Sequence, residues 1–143
     1  MKVEQISIFL ENKAGRLAEV TSSLSDAGVN IRALSLADTS DFGILRLLVD
    51  DHEKAKDALK EHGFTVSRTS VVAVEVPDKP GGLNGLLQLL GSRSINVEYM
   101  YAFVSSRRNN AIIVFRFDRP EDAIVVLQEE GIHVVPNSEL STI

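Results

Sequence analysis

The sequence contains one pattern twice. Leu10-Glu11-Asn12-Lys13-Ala14-Gly15-Arg16-Leu17 returns as Val76-Pro77-Asp78-Lys79-Pro80-Gly81-Gly82-Leu83, displaced by 66 positions, and Val29-Asn30-Ile31 returns as Ile95-Asn96-Val97 at the same displacement. Further on the displacement is 68: Ile44-Leu45 matches Ile112-Ile113, Asp50 matches Asp118, and Glu61-His62-Gly63-Phe64 matches Glu129-Glu130-Gly131-Ile132. The extra two residues fall where a turn between Leu36 and Gly43 absorbs them. A chain of 143 residues built this way is expected to fold as two copies of one small module, 1–69 and 70–143.

Hydropathy spacing gives the same element order in each copy. Val3 to Leu10 is β-rich, Leu17, Val20 and Leu24 recur at helical spacing before Gly28, and Ile31 to Leu36 is again strand-like. Thr39-Ser40-Asp41 marks a turn before the apolar run Ile44 to Val49, His52 to Glu61 reads as a short helix, and Phe64 to Thr69 as a fourth strand. The second copy predicts strand 71–76, helix 82–91, strand 95–103, a turn at Arg107-Arg108-Asn109-Asn110, strand 111–117, helix 120–130 and strand 132–135. The class is α+β, a ferredoxin-like βαββαβ unit repeated in tandem, with antiparallel sheets carrying helices on one face. Phe64 to Val76 holds no Gly or Pro, so the last strand of one module runs into the first of the next, and a composite sheet is expected.

An antiparallel strand with one wet face alternates apolar and polar residues. Ile44-Leu45-Arg46-Leu47-Leu48-Val49 and Ile112-Ile113-Val114-Phe115-Arg116-Phe117 are apolar on both faces, which predicts a cover for the second face as well. The cover is either the other module or another chain, with tolerated surface apolarity as the plain alternative. On this ground a homodimer is expected.

Charge narrows the partners. Residues 1–69 carry 9 Lys/Arg against 11 Asp/Glu and residues 70–143 carry 6 against 9, so neither half offers the basic surface that nucleic acid or an anionic membrane requires. With no cysteine there is no disulfide, thiolate metal site or thiol nucleophile. No apolar run approaches the roughly 20 residues of a membrane helix, and nothing at the start reads as a signal peptide, so a cytoplasmic protein is expected. His52, His62 and His133 lack metal-ligand spacing, and no cofactor is implied.

Asp78-Lys79-Pro80-Gly81-Gly82-Leu83 joins a strand to a helix start. Glycines there admit a ligand close to the backbone, and the unpaired first N–H groups with the positive dipole end suit a carboxylate. Asn96 opens the next strand with a side chain that both donates and accepts. The matching positions in the first copy are Asn12, Gly15, Arg16 and Asn30. By itself a Pro-Gly turn before a helix is most often only a connection. Tyr99 and Tyr101 share a strand face, for a side-chain pocket or for packing; Arg32 and Glu98 are equivalent and either pair or are solvated.

Both copies resemble ACT domains, whose signature is an Asp-x-Pro-Gly-x-Leu turn, a helix, and a Gly-(Ile/Val)-Asn-Ile strand start. Asp78 to Leu83 with Ser94-Ile95-Asn96-Val97 fits closely, and Asn12 to Leu17 with Gly28-Val29-Asn30-Ile31 fits with Asn for Asp and Ala for Pro. The resemblance implies a non-catalytic regulatory protein that binds an amino acid where the turn of one module meets the Asn strand of another. It assigns ligand contact to Asn12, Ala14, Gly15, Arg16, Leu17, Asn30 and Ile31, and to Asp78, Pro80, Gly81, Gly82, Leu83, Asn96 and Val97. A partner enzyme is the expected target of regulation. The alternative is a regulatory subunit of a biosynthetic enzyme such as acetolactate synthase, against which stands the second ACT copy in place of a different C-terminal domain. No nucleophile–base pair or phosphate loop points to an enzyme.

Overall fold

The computed structural model describes residues 1–38, 41–104, 108–140 and 142. The turn residues Thr39, Ser40 and Arg107 lie outside the described residues. The chain divides into two compact units, Glu4–Thr69 and Ser70–Ile143, the second joined by Met1–Val3. Lys2 Nζ reaches Glu121 Oε1 at 2.5 Å, and this hydrogen bond with the lysine charge holds the Glu121 carboxyl below the ordinary carboxylate range.

The N-terminal unit comprises β1 (Val3–Glu11), α1 (Arg16–Asp26), β2 (Ile31–Asp38), β3 (Phe42–Val49), α2 (His52–Glu61) and the first residues of β4 (Thr65–Pro77). Its strands lie in the order β2-β3-β1-β4. β1 and β2 each run antiparallel to β3, Ile8 facing Leu45 and Leu36 facing the same residue. The alternate residues Ile6, Ile8 and Leu10 meet Val20 and Leu24 of α1, Ala55 and Leu59 of α2, Leu45, Leu47 and Phe64 in one core. Asp51 caps α2 by accepting from Lys54 N at 3.0 Å.

The C-terminal unit continues β4 and adds α3 (Gly82–Ser92), β5 (Val97–Ala102), β6 (Asn110–Phe117), α4 (Pro120–Glu129), β7 (Val134–Val135) and α5 (Asn137–Leu140). The order is β7-β4-β6-β5, all antiparallel. Val72, Val74 and Val76 pack with Leu86, Leu90, Phe115, Phe117, Ala123 and Leu127, and the Phe115 and Phe117 rings stack at 5.2 Å. Each unit is thus the ferredoxin-like repeat that the hydropathy spacing predicts.

β4 passes through the boundary at residues 69 and 70 as one strand, as the absence of Gly and Pro implies. In the C-terminal unit the opposite strand face is also closed, with Val71, Ala73, Ile112, Val114, Tyr101 and Phe103 all buried, whereas in the N-terminal unit Phe9 and Phe42 on that face stay about half exposed. A second copy is therefore not needed to cover these residues. Several boundaries depart from the spacing, and one element is added. Ile132 and His133 belong to the turn leaving α4, where Ile132 N donates to Leu127 O at 2.9 Å, so β7 keeps two residues. β5 starts at Val97 because Ile95 N is taken by Leu90 O. The four-residue α5 is too short to leave a periodic trace.

After α1 the chain reverses through Gly28 at φ 74°, and after α3 the equivalent Ser94 takes φ 59°. A side chain in the left-handed region costs about 1 kcal/mol that glycine avoids. Ser94→Gly should therefore raise the unfolding free energy by up to about 1 kcal/mol, read as a higher urea midpoint, and an unchanged or lower midpoint would show that Ser94 is relaxed.

Candidate functional site

The two turns share one backbone. Gly15 has φ 90°, ψ −18° and Gly81 has φ 89°, ψ −11°, a conformation only glycine adopts freely. Around them the amides pair alike: Asn12 N donates to Asp41 O and Asp78 N to Asn109 O, Glu19 N to Gly15 O and Gly85 N to Gly81 O. The sequence repeat is thus a repeat of atomic geometry.

The side chains make the turns different. In the C-terminal unit Val76, Pro77, Pro80, Gly81, Gly82 and Gly85 wall a cavity of about 550 Å³, closed on its far side by Leu86 and the Gly131–His133 loop. Gly82 is there for contact: a Cβ would lie 2.0 Å from Pro77 O. Gly85 is there for space, since a Cβ on it would meet nothing within 4 Å. One turn of α3 thereby presents bare backbone to the cavity. Gly82 N is paired with Lys79 O at 3.0 Å, and the next amides of the first turn have no acceptor inside the helix. These donors and the dipole favour an anionic group at this end. The other walls are chiefly apolar, suited to an aliphatic side chain.

The predicted ligand residues divide on this geometry. Pro80, Gly81 and Gly82 line the cavity, whereas Asp78 is exposed beside it, with its amide held by Asn109 O at 3.2 Å. Leu83 and Val97 pack against the core of their unit, as Ile31 does in the other. Asn96 lies elsewhere: its N donates to Asp118 Oδ1 at 3.0 Å and Asp118 N returns to Asn96 O at 3.1 Å. Asn30 and Asp50 form the same clasp at 3.0 and 3.1 Å. Since the turn meets the Asn109–Asn110 end of β6 and Asn96 the Asp118 end, the strand length of about 25 Å separates them within a unit. In the N-terminal unit Asn12 and Leu17 border a small recess of about 40 Å³ with Leu36 and Gly43. Arg16 there contacts Glu19, stands 4.9 Å over the Phe64 ring and lies 4.0 Å from Glu11; Ala14 and Gly15 are exposed.

Sequence reasoning missed Gly85, which reads in isolation as a tolerated helix glycine, and the Gly131–His133 wall, which only the folded topology brings near. It also missed the paired positions Glu75 and Asn110, where Asn110 Nδ2 donates to Glu75 Oε2 at 3.3 Å. Their counterparts Phe9 and Phe42 stack at 5.2 Å. Of the equivalent residues Arg32 and Glu98, Glu98 places Oε1 3.3 Å from Arg116 Nε. Among the described residues no group of His, Cys, Asp or Glu side chains could hold a metal ion, and no helix is long and apolar enough to cross a membrane.

The profile of the ACT domain pair matches residues 1–143. The chain belongs to the ACT domain pair family. A solved structure of a Bacteroides thetaiotaomicron protein shares this ACT pair at 40% identity and TM-score 0.93, covering 100% of this chain and 98% of that one. The regulatory subunit of aspartate kinase from Thermus thermophilus superposes at TM-score 0.64 and 16% identity, over 88% of this chain and 90% of that one. That from Thermus flavus gives 0.61 and 17% over the same shares. At such identities the two Thermus subunits show a common fold alone. No curated protein matches the ACT pair described here. ACT pairs are regulatory ligand-binding modules, so membership assigns the chain a regulatory fold.

Proposed function

We propose that this protein is a non-catalytic sensor of a small amino acid, bound at the turn of its C-terminal unit. The observation that carries the reading is the cavity of about 550 Å³ at the start of α3, walled by Gly81, Gly82 and Gly85. The ligand carboxylate takes the free amides of the first helical turn, where the dipole and the hydrogen-bond donors act together. Its side chain lies against Val76, Pro80, Leu86 and Ile132, and gains about 25 cal/mol for each Å² of apolar surface removed from water.

Asn96 is far from its own turn, so its part in binding requires a second copy that brings its Asn strand to this cavity. A homodimer is the arrangement that does so, in the cytoplasm, where the free amino acid pool lies. Binding then favours one arrangement of copies and alters affinity for a partner enzyme by linkage. The aspartate kinase regulatory subunits that share the fold support a target of this kind; an acetolactate synthase is the more specific alternative, and co-purification with a large catalytic subunit separates it from a free-standing sensor.

A thermal-shift screen of the twenty amino acids tests the reading. A ligand present at 100 times its Kd adds about 2.7 kcal/mol and raises the melting temperature. Gly85→Ala supplies the control, because it places a methyl in the cavity while removing a helix glycine. It should stabilise the free protein by about 0.5–1 kcal/mol and abolish most of the ligand-induced shift. If no amino acid moves the melting temperature, or Gly85→Ala leaves the shift whole, the turn is only a connection.

A further inference from the structure

We propose that Arg16 is an internal plug: it closes, in the N-terminal unit, the cavity that the C-terminal unit keeps open, so that each chain holds one ligand. This rests on the reading of the C-terminal cavity as the ligand site. The comparison is unusually controlled, because the Gly15 and Gly81 turns have the same backbone angles and the same amide pairing. What differs is the side chains at three equivalent places. Gly82, Gly85 and Ile132 line the open cavity; Arg16, Glu19 and Phe64 stand there in the other copy.

These three residues close on one another. Arg16 Nη1 pairs with Glu19 Oε2, and its guanidinium lies 4.9 Å over the Phe64 ring. The Arg16 side chain retains only 24% exposure, although its neighbours on the turn are exposed. A cation at a helix start opposes the dipole, and Glu19 in the first turn and Glu11 at 4.0 Å offset it. A ligand carboxylate entering this copy would have to displace that set of contacts. The groove of about 390 Å³ that remains is bordered by Glu19 and Phe64, two members of this set, and runs on past Ala18, Ser22, Asp26 and His62, away from the Asn12–Arg16 turn, no residue of which lines it.

The chain has no cysteine, so single cysteines report access directly. Val20 and Leu86 are equivalent core positions, Leu86 bordering the open cavity and Val20 fully buried. In the full-length protein, methyl methanethiosulfonate should modify Leu86→Cys at least about tenfold faster than Val20→Cys. Adding Arg16→Gly and Glu19→Gly to Val20→Cys should bring its rate close to that of Leu86→Cys, with far-UV circular dichroism confirming the fold. Should that triple variant not fold, Arg16→Ala in the Val20→Cys chain makes the same comparison. Equal rates at the two cysteines in the otherwise unaltered protein overturn the plug, as does continued protection of the thiol introduced by Val20→Cys in a folded chain lacking Arg16. The thiol rates need no ligand, so a failed amino-acid screen would remove the sensor reading and leave the plug decided on its own.

Discussion

Gly82→Ala is expected to cost about 3 kcal/mol of unfolding free energy, a large share of what a small domain has to lose. The reason is a backbone atom. An alanine Cβ would sit 2.0 Å from Pro77 O, and a carbonyl at the end of β4 cannot rotate away like a flexible side chain. The N-terminal unit shows what relief requires: Arg16 carries a Cβ at the equivalent place, and its N–H to Lys13 O distance is 3.4 Å against 3.0 Å for Gly82 to Lys79. Opening the second turn likewise would move Pro77 and the cavity wall, so the variant should lose ligand response along with stability. Urea titration followed by circular dichroism measures the first effect. A variant within about 0.5 kcal/mol of the parent would mean that the turn adjusts freely.

Phe115→Ala is the second large effect, about 3–5 kcal/mol. Phe115 is fully buried on β6, stacked on Phe117 at 5.2 Å and surrounded by Val72, Leu86, Leu90 and Leu127. Truncation leaves a cavity that strands paired on both sides cannot collapse into. Phe9→Ala is the natural contrast, since Phe9 is also a stacked strand phenylalanine yet is 51% exposed. It should cost about 1 kcal/mol or less. Comparable losses in the two variants would contradict the placement of the core on the Phe115 face of β6.

Most of this architecture was legible because periodicity and duplication report on the same elements. The exchange of 66 for 68 between Leu36 and Gly43 located the β2–β3 turn, and the Gly-free run Phe64 to Val76 located an unbroken strand. Ser94 stands where the first copy has Gly28, and the backbone meets it with a left-handed serine. The cavity was only half legible. Its turn is local and carries a motif, but its far wall, Gly131 to His133, is brought there by the pairing of β7 with β4, which spacing does not reveal. Asn96 illustrates the converse. The family resemblance sets it against the turn of another module, and within its own unit the antiparallel strands carry it to the other end of the sheet from the turn, into a clasp with Asp118.

β4 begins one residue after Phe64, the ring on which Arg16 rests, and ends on Pro77, a wall of the open cavity. Thirteen residues of hydrogen-bonded strand connect the closed site to the open one without a loop. Any cut between the two units falls inside this strand, at residues 69 and 70, and not in a loop. Duplication gave this protein two pockets; a shared strand made them a single inheritance, free to diverge in side chains but not to separate.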